Sequence, residues 1–113
     1  MEDLIKDAED NKIMGILAYI GILVLVPILA AKDSPFARFH ANQGCILCII
    51  AIAFYMIMFI VGFILPFSLY LILSLLYLVG GLGIIVLAIL GIINAVNGEM
   101  KELPIIGKYT ILK

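Results

Sequence analysis

The chain has 113 residues, of which 65% are hydrophobic and 13% charged, with a formal net charge of −1. A soluble domain is nearer half apolar and a quarter charged, and so short a chain has too much surface to hide this much apolar side chain from water. The charge balance excludes a strongly basic nucleic-acid face, and its distribution points to a bilayer. No Asp, Glu, Lys, Arg or His occurs from Ile13 to Ala31, nor from Ala41 to Gly98.

A helix needs roughly 20 apolar residues to cross a hydrocarbon core about 30 Å thick. The first uncharged stretch fits one crossing and the second fits two with a turn between them. The expected architecture is all-α: one integral membrane helical bundle over residues 1–113, with three transmembrane helices and a short interfacial helix. Four spans is the competing count.

Residues 1–12 read as a polar tail or short interfacial helix. This acidic start lacks the basic region of a signal peptide, so the first helix is expected to be retained. The first span is expected at 13–31, with Pro27 as a kink in its last third. In Lys32-Asp33-Ser34-Pro35, Ser34 suits an N-cap and Pro35 the first helical position. Residues 35–43 then suit an interfacial turn, with Phe36 and Phe39 on one face and Arg38 and Asn42 on another.

The second span is expected at 44–65. Leu65-Pro66-Phe67-Ser68 breaks it with a turn that carries no charge. The third span, 67–96, would measure about 45 Å and must tilt, kink or protrude. Gly80, Gly81 and Gly83 mark its weak point, where a four-span arrangement would split it. The tail, 97–113, begins polar and returns to apolar residues at Leu103-Pro104-Ile105-Ile106-Gly107. That return predicts a segment lying back on the membrane surface.

With three spans, Lys32, Arg38, Lys101, Lys108 and Lys113 share one side, and Lys6 and Lys12 the other. The positive-inside rule then predicts a multi-pass cell-membrane protein with a cytoplasmic first loop and C-terminus and an outside N-terminus.

Helix association in lipid relies on close packing at small residues. Ser74, Gly81, Ala88 and Ala95 recur every seven residues, with Gly91 beside them, a spacing that keeps a seam on one helix face. Gly44, Cys48, Ala51 and Gly62 form a similar stripe on the second span, and Gly15 and Ala18 on the first. These residues predict intramolecular packing, with a homo-oligomer seam as the functional alternative.

Polarity gathers at Arg38, His40, Asn42 and Gln43, at the mouth of the second span. Asn94, Asn97 and Glu99 end the third span on the same side, so the two sets are expected to meet. Buried amides and imidazole need partners, and a structural clamp between the helices supplies them. A recognition site for lipid headgroup, peptide or another subunit is the sharper alternative.

No catalytic constellation is visible. His40 is the sole histidine, Ser34 reads as a cap and Ser74 as packing, so a nucleophile would lack its base. Cys45 and Cys48 lie inside an apolar helix and read as small buried hydrophobes rather than a redox pair. One histidine and a solvated acidic run make no metal site. No enzyme activity, cofactor or metal is therefore expected.

The segments Leu17-Ala18-Tyr19, Val26-Pro27 through Phe39-His40-Ala41-Asn42-Gln43-Gly44, and Leu103-Pro104-Ile105-Ile106-Gly107-Lys108 resemble a small prokaryotic multi-pass membrane protein family. That family is related to the chloroplast Tic import component and to magnetosome-membrane proteins that influence crystal growth, and most of its members have no assigned function. The resemblance covers nearly the whole chain, and its specific part is the Phe39–Gly44 motif. It implies a membrane-embedded subunit or scaffold, and four spans where the residues alone give three. The expected function is a non-catalytic structural, assembly or interaction subunit. Its partners are the lipid bilayer and either copies of itself or other membrane subunits, with no nucleic acid. An oligomeric pore or protein-translocation component is the alternative.

Overall fold

The computed structural model describes residues 2–110. Its elements are helical: α1 (Glu2–Asp10), α2 (Lys12–Leu17), a 3-10 turn (Gly21–Val24), α3 (Leu25–Ala30), α4 (Pro35–Ile64), a second 3-10 turn (Phe67–Leu69) and α5 (Tyr70–Val96). Helices α4 and α5 form an antiparallel hairpin, and the short elements gather at one end of a molecule 59 × 22 × 21 Å in extent.

Helix α4 starts where the sequence places it. The Ser34 hydroxyl accepts from the Ala37 amide at 3.0 Å, and Pro35 occupies the first helical position, where no N–H is needed. The interfacial turn expected at 35–43 is not a separate element. Residues 35–43 and 44–64 are one continuous helix of 30 residues. Leu65 and Pro66 end it in extended conformation, and the Tyr70 hydroxyl donates to the Gly62 carbonyl at 2.8 Å across the turn. Helix α5 runs unbroken through Gly80, Gly81 and Gly83, so the split required by a fourth span is absent.

Two segments, Pro35–Ile64 and Phe67–Val96, are long and apolar enough to cross a membrane. Only 17% and 6% of their most apolar windows are buried, whereas the core helix of a soluble protein would be mostly buried. Phe63, Leu71 and Val79 are among many large apolar side chains that face outward. So broad an apolar surface suits lipid rather than water.

The expected first span at 13–31 does not form one continuous helix. Helix α2 stops at Leu17, Gly21 adopts a left-handed φ of +53°, and Pro27 lies within the six residues of α3. Proline has no N–H for the carbonyl four residues earlier, so one straight helix cannot run through this stretch. The apolar helical run Gly21–Ala30 is shorter than the roughly 20 residues of a full crossing.

Small residues explain where this broken segment sits. A Cβ at Gly44 would fall on the Ala18 carbonyl, and one at Gly91 would fall in the Tyr19 ring. A Cβ at Gly15 would lie 2.8 Å from the Phe36 ring and 3.1 Å from Ala95. Helix α2 and Tyr19 therefore wedge against the first turns of α4 and the last turns of α5. Ala18, Tyr19, Val24, Leu47 and Leu103 form the buried cluster there, with Ala88 packed against it.

The remaining seam residues divide. Gly81 lies under the Tyr55 hydroxyl and Gly62 against Leu73, and Ala95 is fully buried. Cys48 and Ala51 are half-buried along an apolar groove. Ser74 is a correction: it is exposed, and its hydroxyl donates to the Tyr70 carbonyl of its own helix at 2.9 Å. A seven-residue repeat finds a face, but the two helices meet along only part of it.

Candidate functional site: the polar cap over the mouth of the hairpin

The polar residues of α4 face inward because the cap closes over them. Phe36, Ala37, His40, Ala41, Asn42, Gln43 and Gly44 are all buried. Three rings, Tyr19, Phe36 and Phe39, meet the His40 imidazole edge-on, with centroids 4.6 to 5.5 Å away. The Nε2 of His40 lies 2.8 Å from the Glu99 carbonyl and its Nδ1 2.6 Å from the Tyr19 hydroxyl. A carbonyl can only accept, so Nε2 carries the proton. In a neutral ring Nδ1 then accepts from Tyr19. Burial pushes the Tyr19 hydroxyl well above the usual phenol range, which keeps it protonated as that donor.

Gln43 is 1% exposed and grips the segment after α5 with both ends of its amide. Its Oε1 accepts from the Leu103 amide at 2.9 Å, and its Nε2 donates to the Gly107 carbonyl at 2.9 Å. Gly107 is required there, because a Cβ would lie 2.6 Å from Gln43 Oε1. Asn42 donates to the Tyr109 carbonyl at 2.9 Å. Arg38 is half-buried and lines a polar recess of about 200 Å³ with Asn42, Gln43, Glu102 and Lys108.

The expected partners from the end of α5 are corrected in kind. Asn94 is half-buried, and its amide donates to the Lys101 carbonyl at a long 3.4 Å. Asn97 is exposed at the helix end. Neither side chain meets the α4 cluster in a described hydrogen bond. The chain turns at Gly98, whose φ is +71°, and lays the backbone of 99–109 across the mouth instead. Main chain offers both N–H and C=O, so it satisfies an amide side chain more fully than a second amide would.

One contributor was hidden in the acidic tail. The Asp7 carboxylate accepts from the Ser34 hydroxyl at 2.6 Å and from the Phe36 amide at 2.9 Å. Asn11 adds a third bond to it, at 2.9 Å. An anion here complements the positive end of the α4 dipole. Asp7 thereby pins α1 beside the first loop and the C-terminal segment. The N-tail thus lies at the same end of the molecule as those two segments, contrary to the expected opposite placement.

Among the described residues no buried side-chain nitrogen or oxygen lacks a hydrogen-bond partner. No described group of three His, Cys, Asp or Glu is placed to hold a metal ion. The arrangement is a closed clamp rather than an open cleft.

The chain resembles two curated proteins of Paramagnetospirillum magneticum. It is 29% identical over 102 residues to the magnetosome protein MamF, covering 88% of this chain and 82% of that one. It is 27% identical over 97 residues to the magnetosome protein MmsF, covering 83% and 79%. No solved structure matches. Residues 10–110, which hold the hairpin and the cap apart from α1, match the MamF/MmsF family, described as the magnetosome magnetite crystal formation protein family, and the chain belongs to that family.

Proposed function

We propose that this protein is a non-catalytic structural or assembly subunit of a membrane in which mineral crystals form. In this reading α4 and α5 cross the bilayer as a hairpin and the cap rests on one face. The observation that carries it is the clamp. His40, Asn42 and Gln43 are engaged by the chain's own backbone and by Tyr19, which leaves rigid shape and apolar surface as the means of action. The family's description and the names of both relatives support a magnetosome membrane as the setting.

The same reading revises the topology. Lys6, Lys12, Lys32, Arg38, Lys101 and Lys108 all lie in the cap, while the Leu65–Leu69 turn has no charge. By the positive-inside rule the cap is cytoplasmic and holds the N-tail as well as the first loop and the segment after α5.

The pore or translocation alternative needs a polar stripe along the spans. Ser74 and Asn94 stand 20 residues apart on α5, or about 200° around the helix at 3.6 residues per turn. They do not line one channel.

Fractionation of a magnetosome-forming host, with crosslinking in its intact membranes, tests the proposal. The protein should separate with the magnetosome membrane and crosslink to itself or to another membrane subunit. A strictly monomeric, partner-free protein spread through the cell membrane would refute it.

A further inference from the structure

Ile105 is the most exposed of the large hydrophobic residues described, at 88%. It also has a φ of +70° and is the one described non-glycine residue with a positive φ. β-Branched residues rarely adopt that conformation, because Cβ crowds the backbone. The turn that carries it is held from behind. Leu103 is buried, the Gly107 amide donates to the Leu103 carbonyl at 3.0 Å, and Gln43 grips both residues. The cap therefore holds an isoleucine outward in a strained backbone, on a rigid base.

The direction in which it points is informative. Pro104 and Ile105 form one lip of an apolar groove of about 590 Å³ that continues along Ile50, Phe54, Leu87 and Leu90. Those residues belong to the hairpin's broad apolar surface. Leu90 stands six residues before the end of α5 at Val96, about 9 Å along the helix. The chain leaves α5, turns at Gly98 and returns to the level of Leu90.

We infer that the Leu103–Gly107 turn is a hydrophobic wedge seated among the acyl chains just beneath the head groups, with Ile105 as its tip and bilayer lipid as its partner. The inference rests on α4 and α5 crossing the bilayer. Insertion buries an isoleucine that water would leave exposed, and hydrophobic burial offsets the backbone strain. It also fixes the cap against the membrane surface, since the wedge and the first turns of α4 are joined through Gln43.

The chain has no tryptophan, so single substitutions report their own surroundings. Ile105→Trp, Leu82→Trp in the middle of α5 and Glu102→Trp beside the turn would each be reconstituted in phosphatidylcholine vesicles, since all three positions are exposed. For Ile105→Trp we expect blue-shifted emission, resistance to acrylamide, and loss of most intensity in lipids brominated near the head-group end of the chain. Leu82→Trp should respond most to mid-chain bromine, and Glu102→Trp to acrylamide alone. If Ile105→Trp behaves like Glu102→Trp while Leu82→Trp is quenched by bromine, the wedge is refuted and the hairpin stands. If Leu82→Trp is also untouched by bromine, both fail. Shielding of Ile105→Trp from acrylamide without bromine quenching would mean that a second protein surface covers the turn, which also overturns the inference.

Discussion

Gln43→Ala should release the segment after α5 while leaving the hairpin folded. The substitution removes two buried hydrogen bonds, each worth about 1 kcal/mol net. It also leaves the Leu103 amide and the Gly107 carbonyl without the side-chain partner they have now, at a desolvation cost of about 1–3 kcal/mol. A total of at least about 3 kcal/mol corresponds to a more than roughly 100-fold increase in the opening equilibrium of the segment. Hydrogen exchange at the Leu103 amide in detergent micelles reads that equilibrium directly. Trypsin cleavage after Lys101 and Lys108, both exposed, reads it independently. Gln43→Met keeps the length of the side chain without its amide, so it separates lost hydrogen bonds from lost packing. Both variants should accelerate exchange at Leu103 and leave mid-hairpin amides unchanged. Unchanged exchange at Leu103 in both would show that the clamp does not hold the segment.

Other substitutions test the remaining contacts. Gly44→Ala places a methyl on the Ala18 backbone and should lower the melting temperature sharply or prevent folding. Gly83→Ala meets nothing within 4 Å and should raise stability by up to about 1 kcal/mol through helix propensity, so the two melting shifts should have opposite signs. Asp7→Ala removes the acceptor for Ser34 and Phe36 and should cost about 2 kcal/mol, read as faster exchange throughout α1. Tyr19→Phe leaves His40 Nδ1 without its donor and should cost about 1–2 kcal/mol in a denaturant titration; a neutral result would mean that water replaces the hydroxyl.

The parts legible in the sequence were those set by local chemistry. Ser34 and Pro35 predicted the start of α4, because the Ser34 cap on the Ala37 amide and the proline at the first helical position are set by neighbouring residues. The uncharged Leu65–Ser68 break predicted the hairpin turn for the same reason. The breaks within the apolar run at 13–31 were not legible, since composition counts residues and does not detect a left-handed Gly21 combined with Pro27. In the cap, His40, Asn42 and Gln43 stood out because polar groups are rare beside an apolar helix. Their partners were hidden, because the carbonyls and amides of residues 99–109 exist in every sequence and carry no signature. Asp7 was lost in a run of acids that read as solvated. Gly107 was visible as the end of an apolar segment, but only the structure shows why a side chain cannot stand there.

The clamp has a consequence for synthesis. The polar mouth of α4 emerges from the ribosome well before residues 99–109, so Gln43 and Asn42 enter the membrane region with their amides unmatched. The pairing becomes available only after α5 has been made. Closure over the mouth is thus a late event that reports on completion of the hairpin, and a chain interrupted inside α5 would keep Asn42 and Gln43 without these backbone partners.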